Sequence, residues 1–107
     1  MKRHGNVIHV KQEKLQEYKD LHAAIWPNVV VMLKKCNIAN YSIYYRDGYL
    51  FSYFEYMGND FAGDMARMSE DSHTQEWWKL TDPCQYKVGS ASKDEWWASM
   101  EEVFHLD

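Results

Sequence analysis

Tyr18 and His22 carry side chains able to exchange protons, four residues apart in the run Tyr-Lys-Asp-Leu-His-Ala-Ala-Ile-Trp-Pro. If that run is helical, positions i and i+4 stand one above the other, so a phenol and an imidazole point the same way with Ile25 beside them. Imidazole titrates near neutrality and can give or take a proton within one reaction, and a phenol hydroxyl one turn away can orient or relay a second. Trp77-Trp78 and Trp96-Trp97 are two pairs of large flat side chains in a short chain, and they suggest an apolar wall near the polar pair. A sugar-sized ring fits such a site. Adjacent residues cannot share one side of a helix, so one of Trp77 and Trp78 packs inward and the other is free for a ligand or a partner.

Other chemistries find little support. Asp20, Glu55 and Asp82 show no paired spacing, so the two-carboxylate arrangement of a glycosidase cannot be read from them. No Gly-rich phosphate loop, nucleophile elbow or metal-binding motif is present. Cys36 and Cys84 are far apart and outside any CxxC pattern, which suggests neither a disulfide framework nor a zinc site. His4, His9 and His73 have ordinary surroundings, and His105 could face a pocket from a last strand. Tyr41, Tyr44 and Tyr45 are sheet residues by spacing, with hydroxyls that could orient polyol groups. These residues narrow the chemistry to proton transfer without metal or cofactor, or to binding alone.

The elements that must position this set follow from periodicity. Asn6 to Val10 is β-branched and predicts a first strand, and Lys11 to Leu21 is helix-friendly, with Leu15, Tyr18 and Leu21 on or near one stripe. Pro27 disfavours the α conformation at Trp26, so the helix is bent or restarted there and runs on to Cys36. Ala39 to Tyr45 and Tyr49 to Tyr56 are aromatic runs joined by Asp47-Gly48, a strong hairpin signal. Alternation places Tyr49, Phe51, Tyr53 and Glu55 on one face of the second run, and Leu50, Ser52, Phe54 and Tyr56 on the other. Gly58-Asn59-Asp60 can cap a helix from Phe61 through Met68, and Asp71 or Ser72 can start another that carries both tryptophans. Thr81 to Ser92 reads as a loop able to close over a site, and Met100 to Leu106 as a last strand. The order β, α, β, β, α, β predicts an α+β fold, a ferredoxin-like antiparallel sheet with helices on one face. Two such sheets could pair face to face into a dimeric barrel.

Composition bounds the partners. A chain of 107 residues is one domain that buries about 60 to 65% of its unfolded surface, leaving edges that favour association. Aromatic content of 16% must be housed in a core, an interface or a pocket. A net charge of −4 with scattered lysines and arginines argues against a nucleic-acid partner. No apolar stretch follows Lys2, Arg3 and His4 in the manner of a signal peptide, and none approaches the ~18 apolar residues of a membrane span. With two free thiols, the expectation is a cytoplasmic protein away from the membrane.

Taken in order, Glu17-Tyr18, His22, Ile25-Trp26-Pro27, Asn40-Tyr41-Ser42-Ile43-Tyr44, Trp77-Trp78 and Glu102-Val103-Phe104-His105-Leu106 resemble the L-rhamnose mutarotase family from about Arg3 to Leu106. The resemblance implies a homodimeric α/β barrel that interconverts the α and β anomers of a 6-deoxy sugar without metal or cofactor. It also implies roles: His22 matches the family's proton donor, and Tyr18, Tyr41, Trp77 and Trp78 match its sugar contacts, with Tyr18 the candidate for a second catalytic group. The chain departs from its relatives between Met57 and Gln85, which leaves L-fucose as a competing sugar. A sugar-binding domain without turnover and a heme-handling or oxygen-dependent barrel are the readings from other classes.

Overall fold

The computed structural model describes all 107 residues, from Met1 to Asp107. Strand β1 (Lys2–Val10) is followed by a 3-10 turn (Gln12–Lys14), α1 (Leu15–Ala23) and α2 (Pro27–Lys35). The hairpin β2 (Ile38–Arg46) and β3 (Tyr49–Tyr56) leads into α3 (Phe61–Ser69) and α4 (Ser72–Thr81). A second 3-10 turn (Asp82–Cys84) and two short strands, β4 (Gln85–Tyr86) and β5 (Ala98–Met100), complete the chain. The sheet is antiparallel in the order β2-β3-β1-β4, and β5 adds to β1 beside β4. No helix is long and apolar enough to cross a membrane.

Local chemistry explains most boundaries. Pro27 occupies the first turn of α2 while Trp26 is extended, so the helical segment restarts where the missing N–H has no cost. Asp60 accepts the backbone N–H of Gly63, and Asp71 accepts that of Thr74, each satisfying a donor with no partner inside its helix. Asp47 and Gly48 both have positive φ, 51° and 86°, as a two-residue turn twisted like its flanking strands requires.

The sheet buries one face against the helices. Ile8 and Val10 of β1, Leu50 of β3, Tyr18 of α1 and Cys84 form one apolar cluster, and Cys36, Ile38, Tyr56 and Met68 form a second. The predicted alternation of β3 holds at its ends: Leu50, Ser52 and Tyr56 are buried while Tyr49 and Phe51 are exposed. In β2 the alternation is broken once. Ala39 pairs with Glu55 but Ser42 pairs with Tyr53, which inserts one extra residue, and Asn40 sits there with a φ of 49°. Ile38 lies on the helix side before this bulge; after it, the odd-numbered residues Tyr41, Ile43 and Tyr45 do.

Three sequence expectations are corrected. Pairing of β1 begins at Lys2 rather than Asn6, because β3 is long enough to reach it through the pair Lys2–Tyr56. The last strand is Ala98–Met100, and Met100 to Leu106 is not a strand: past Met100 the chain leaves β1, Glu102 is held by Arg3 at 2.7 Å, and Val103, Phe104 and Leu106 project into solvent. The stretch from Thr81 to Ser92 is not one continuous loop, since Asp82–Cys84 is a 3-10 turn and Gln85–Tyr86 pairs with β1. Thr81, Cys84, Gln85 and Val88 are all buried, so they form part of the floor under the helices.

Candidate active site

Helix α1 presents Tyr18 and His22 as its period dictates, with the rings 4.3 Å apart between centroids. The imidazole is fixed by its own helix: Nδ1 lies 2.9 Å from the carbonyl oxygen of Tyr18, an acceptor, so Nδ1 carries the hydrogen. That tautomer leaves the lone pair of Nε2 for a ligand. Burial lowers the His22 pKa below the ordinary imidazole value, and the backbone hydrogen bond opposes this as the smaller influence. The site therefore holds a neutral imidazole at neutral pH, with a nitrogen able to accept a proton.

Trp77 closes over this pair from α4. Its ring meets His22 edge-on at 5.4 Å and Trp26 edge-on at 5.3 Å, which accounts for the bend at Trp26-Pro27 as a packing feature as well as a backbone one. Trp77 is 5% exposed and its neighbour Trp78 is 36% exposed, the division between inward and free rings that adjacent helical positions impose. Tyr41 arrives from the opposite wall by way of the β2 bulge and packs edge-on against Phe54 at 5.7 Å. Although Tyr41 as a residue is 42% exposed, burial of its hydroxyl end pushes the phenol pKa up to about 12. Tyr18 is likewise raised by burial, and to a lesser extent by the nearby Tyr41, so both phenols stay protonated and able to donate.

All five residues expected from the sequence, Tyr18, His22, Tyr41, Trp77 and Trp78, line a hollow of about 360 Å³ between β2, α1 and α4, and the same five also line a larger hollow of about 910 Å³ beside it. The smaller volume lies within the range of small-molecule sites. Neither His4 nor His105 is among the lining residues. Trp96 and Trp97 join the smaller hollow, as the aromatic-wall reading expected. Asp82 also lines it, its carboxyl pKa raised by burial, and no group of three His, Cys, Asp or Glu side chains is placed to hold a metal ion.

Gln85 was not legible in the sequence. It is buried beneath the site, donating from Nε2 to the Tyr18 hydroxyl at 3.2 Å and accepting from the Trp96 indole N–H at 3.1 Å. A lone glutamine in a turn-rich stretch carries no spacing signal. Only its position beside Val10, at the start of β4, brings it under Tyr18.

Comparison with known proteins gives this geometry a context. The sequence model of the L-rhamnose mutarotase family matches residues 3–106. The L-rhamnose mutarotases of Oceanobacillus iheyensis and Bacillus subtilis are 36% and 32% identical to the chain, and each alignment covers 100% of both proteins. Among solved structures, an L-rhamnose mutarotase from Formosa agariphila superposes with a TM-score of 0.78 at 20% identity, covering 100% of both chains. Tetracenomycin F2 cyclase from Streptomyces glaucescens, a type-II polyketide cyclase, superposes with a TM-score of 0.72 at 7% identity, also over 100% of both. Proteins named for two different reactions share this fold, so the fold by itself does not select a function. The full-length sequence matches do discriminate, and on them the chain belongs to the L-rhamnose mutarotase family.

Proposed function

We propose that the protein interconverts the α and β anomers of L-rhamnose by acid/base ring opening and reclosure. The observation that carries this reading is the neutral His22, with Nδ1 committed to a backbone carbonyl and Nε2 left for a ligand in an aromatic-walled hollow, within a chain of this family. Opening a pyranose removes the proton of the anomeric hydroxyl while the ring oxygen gains one. His22 Nε2 takes the first proton, and once the C1 aldehyde has turned its other face to the ring oxygen, it gives the proton back. The same residue is thus base on opening and proton donor on closing, which reconciles its low pKa with the donor role that the family resemblance implies. Tyr18 and Tyr41 donate hydrogen bonds to sugar oxygens, and the tryptophan faces hold the apolar side of the ring with its methyl group.

Saturation-transfer NMR of anomer exchange tests this across L-rhamnose, L-fucose and common hexoses. Faster exchange of L-rhamnose on adding protein is expected, undiminished in excess chelator. No acceleration with any sugar leaves a binding domain, and a preference for L-fucose reassigns the substrate.

The functional unit in this reading is a cytoplasmic homodimer. The sheet face away from the helices carries Tyr44, Tyr49, Phe51, Tyr86 and Met100, all exposed, and one layer of helices can cover only the opposite face. Phe104, 78% exposed in a tail without regular structure, adds to the apolar surface with no partner in its own chain. Pairing two ferredoxin-like sheets across this face makes the dimeric barrel. Sedimentation at micromolar concentration should give twice the chain mass; a fully active monomer would rule the dimer out as a requirement.

A further inference from the structure

The buried amide beneath the site sets the direction of a proton. Gln85 is 4% exposed and has both ends of its side chain occupied, by Trp96 and by Tyr18. An indole N–H can only donate, so the end of the amide facing Trp96 is the oxygen. The end facing Tyr18 is then the NH₂ group, which also can only donate. The Tyr18 oxygen must accept that bond, and its own hydrogen, which is donated to no other group of the chain, is left for the hollow that Tyr18 lines.

We propose that Trp96 and Gln85 are positioning residues, forming a one-way hydrogen-bond chain that fixes Tyr18 as a hydrogen donor to the ring oxygen of the sugar. The chain reads Trp96 Nε1–H to Gln85 Oε1, then Gln85 Nε2–H to Tyr18 Oη, then Tyr18 Oη–H to substrate. This rests on the mutarotase reading and supplies its second proton. As the C1–O5 bond breaks, its electron pair on O5 takes the Tyr18 proton, while the O1–H proton passes to His22 Nε2 and C1=O1 forms. On closure O5–H attacks either face of the aldehyde, its proton returns to Tyr18 Oη, and O1 recovers the proton held by His22. Atoms and charge balance over the cycle, and each residue ends as it began.

Gln85→Glu tests the chain because it keeps the shape and reverses the polarity. A carboxylate accepts from both Trp96 and Tyr18, so the Tyr18 proton turns away from the sugar. At neutral pH kcat should fall toward the ~10²- to 10⁴-fold loss of a missing proton-transfer group, with KM changed much less. Lowering the pH protonates the introduced carboxyl, which burial raises above its ordinary range, and restores a donor toward Tyr18. The activity of Gln85→Glu relative to the parent should therefore rise toward acid pH. A glutamine that merely fills space would produce no such pH signature, and a parent-like kcat with the parent's pH dependence overturns the proposal. If Gln85→Glu does not fold, as judged by circular dichroism and melting, Trp96→Phe decides. It keeps the aromatic wall but releases the amide to flip, so a lower kcat at little-changed KM is expected, and parent kinetics overturn the chain. An inactive parent removes the mutarotase reading and this inference together, whereas an active parent with indifferent variants removes only the inference.

Discussion

His22→Asn is expected to lower kcat for anomer exchange by about 10²- to 10⁴-fold, equivalent to about 3 to 5 kcal/mol in the barrier. Asparagine keeps comparable bulk and can still donate to the Tyr18 carbonyl, but it has no lone-pair nitrogen to take a proton near neutral pH. Sugar affinity should change far less, so binding must be measured separately from turnover. Parental kcat at saturating sugar in His22→Asn would move the proton-transfer role to Tyr18. The parent's own pH dependence is a second check on the same group. Because burial depresses the His22 pKa, the neutral base persists as the pH falls through about 6.5 and is lost only below it, so the acid limb of kcat should lie under that value. The sign for stability agrees. Above about 6.5 the imidazole is neutral in both folded and unfolded chains; below it the unfolded chain binds the proton first, so stability falls as the pH drops toward the folded-state pKa.

Trp77→Ala is expected to cost about 3 to 5 kcal/mol of folding stability, a large share of the ~5 to 15 kcal/mol that holds a domain together. Trp77 is nearly fully buried and is the ring that joins α1, the Trp26 bend and α4, so its removal opens a cavity against both His22 and Trp26. Activity should fail with the fold. Trp78→Ala should leave the urea midpoint close to that of the parent and raise KM, because Trp78 borders the same hollows with much of its ring open. Urea unfolding and steady-state kinetics on both variants separate these roles. A stable Trp77→Ala with raised KM, beside an unfolded Trp78→Ala, would exchange them.

The pieces whose causes are local can be read along the chain. A four-residue spacing places Tyr18 with His22 because a helix repeats every 3.6 residues, whatever the helix packs against. Pro27 restarts the helix, Asp60 and Asp71 cap two more, and Asp47-Gly48 turns the hairpin, because each acts through its own backbone. Ordered motifs also pointed to the family and to the five residues that line the hollow. How those residues meet depends on the packing of segments distant in the chain. Tyr41 faces the hollow because one extra residue near Asn40 reverses the alternation of β2, and a bulge is defined by the partner strand, not by the sequence that contains it. The terminal apolar run looked like a strand from its composition, but strand formation needs an open edge in register, and the chain leaves β1 after Met100. Gln85 lies 67 residues from Tyr18 along the chain, and the direction of its amide is settled by Trp96 on a third segment. Hydrogen-bond polarity of that kind is a property of groups brought together in space, and no spacing along the chain encodes it.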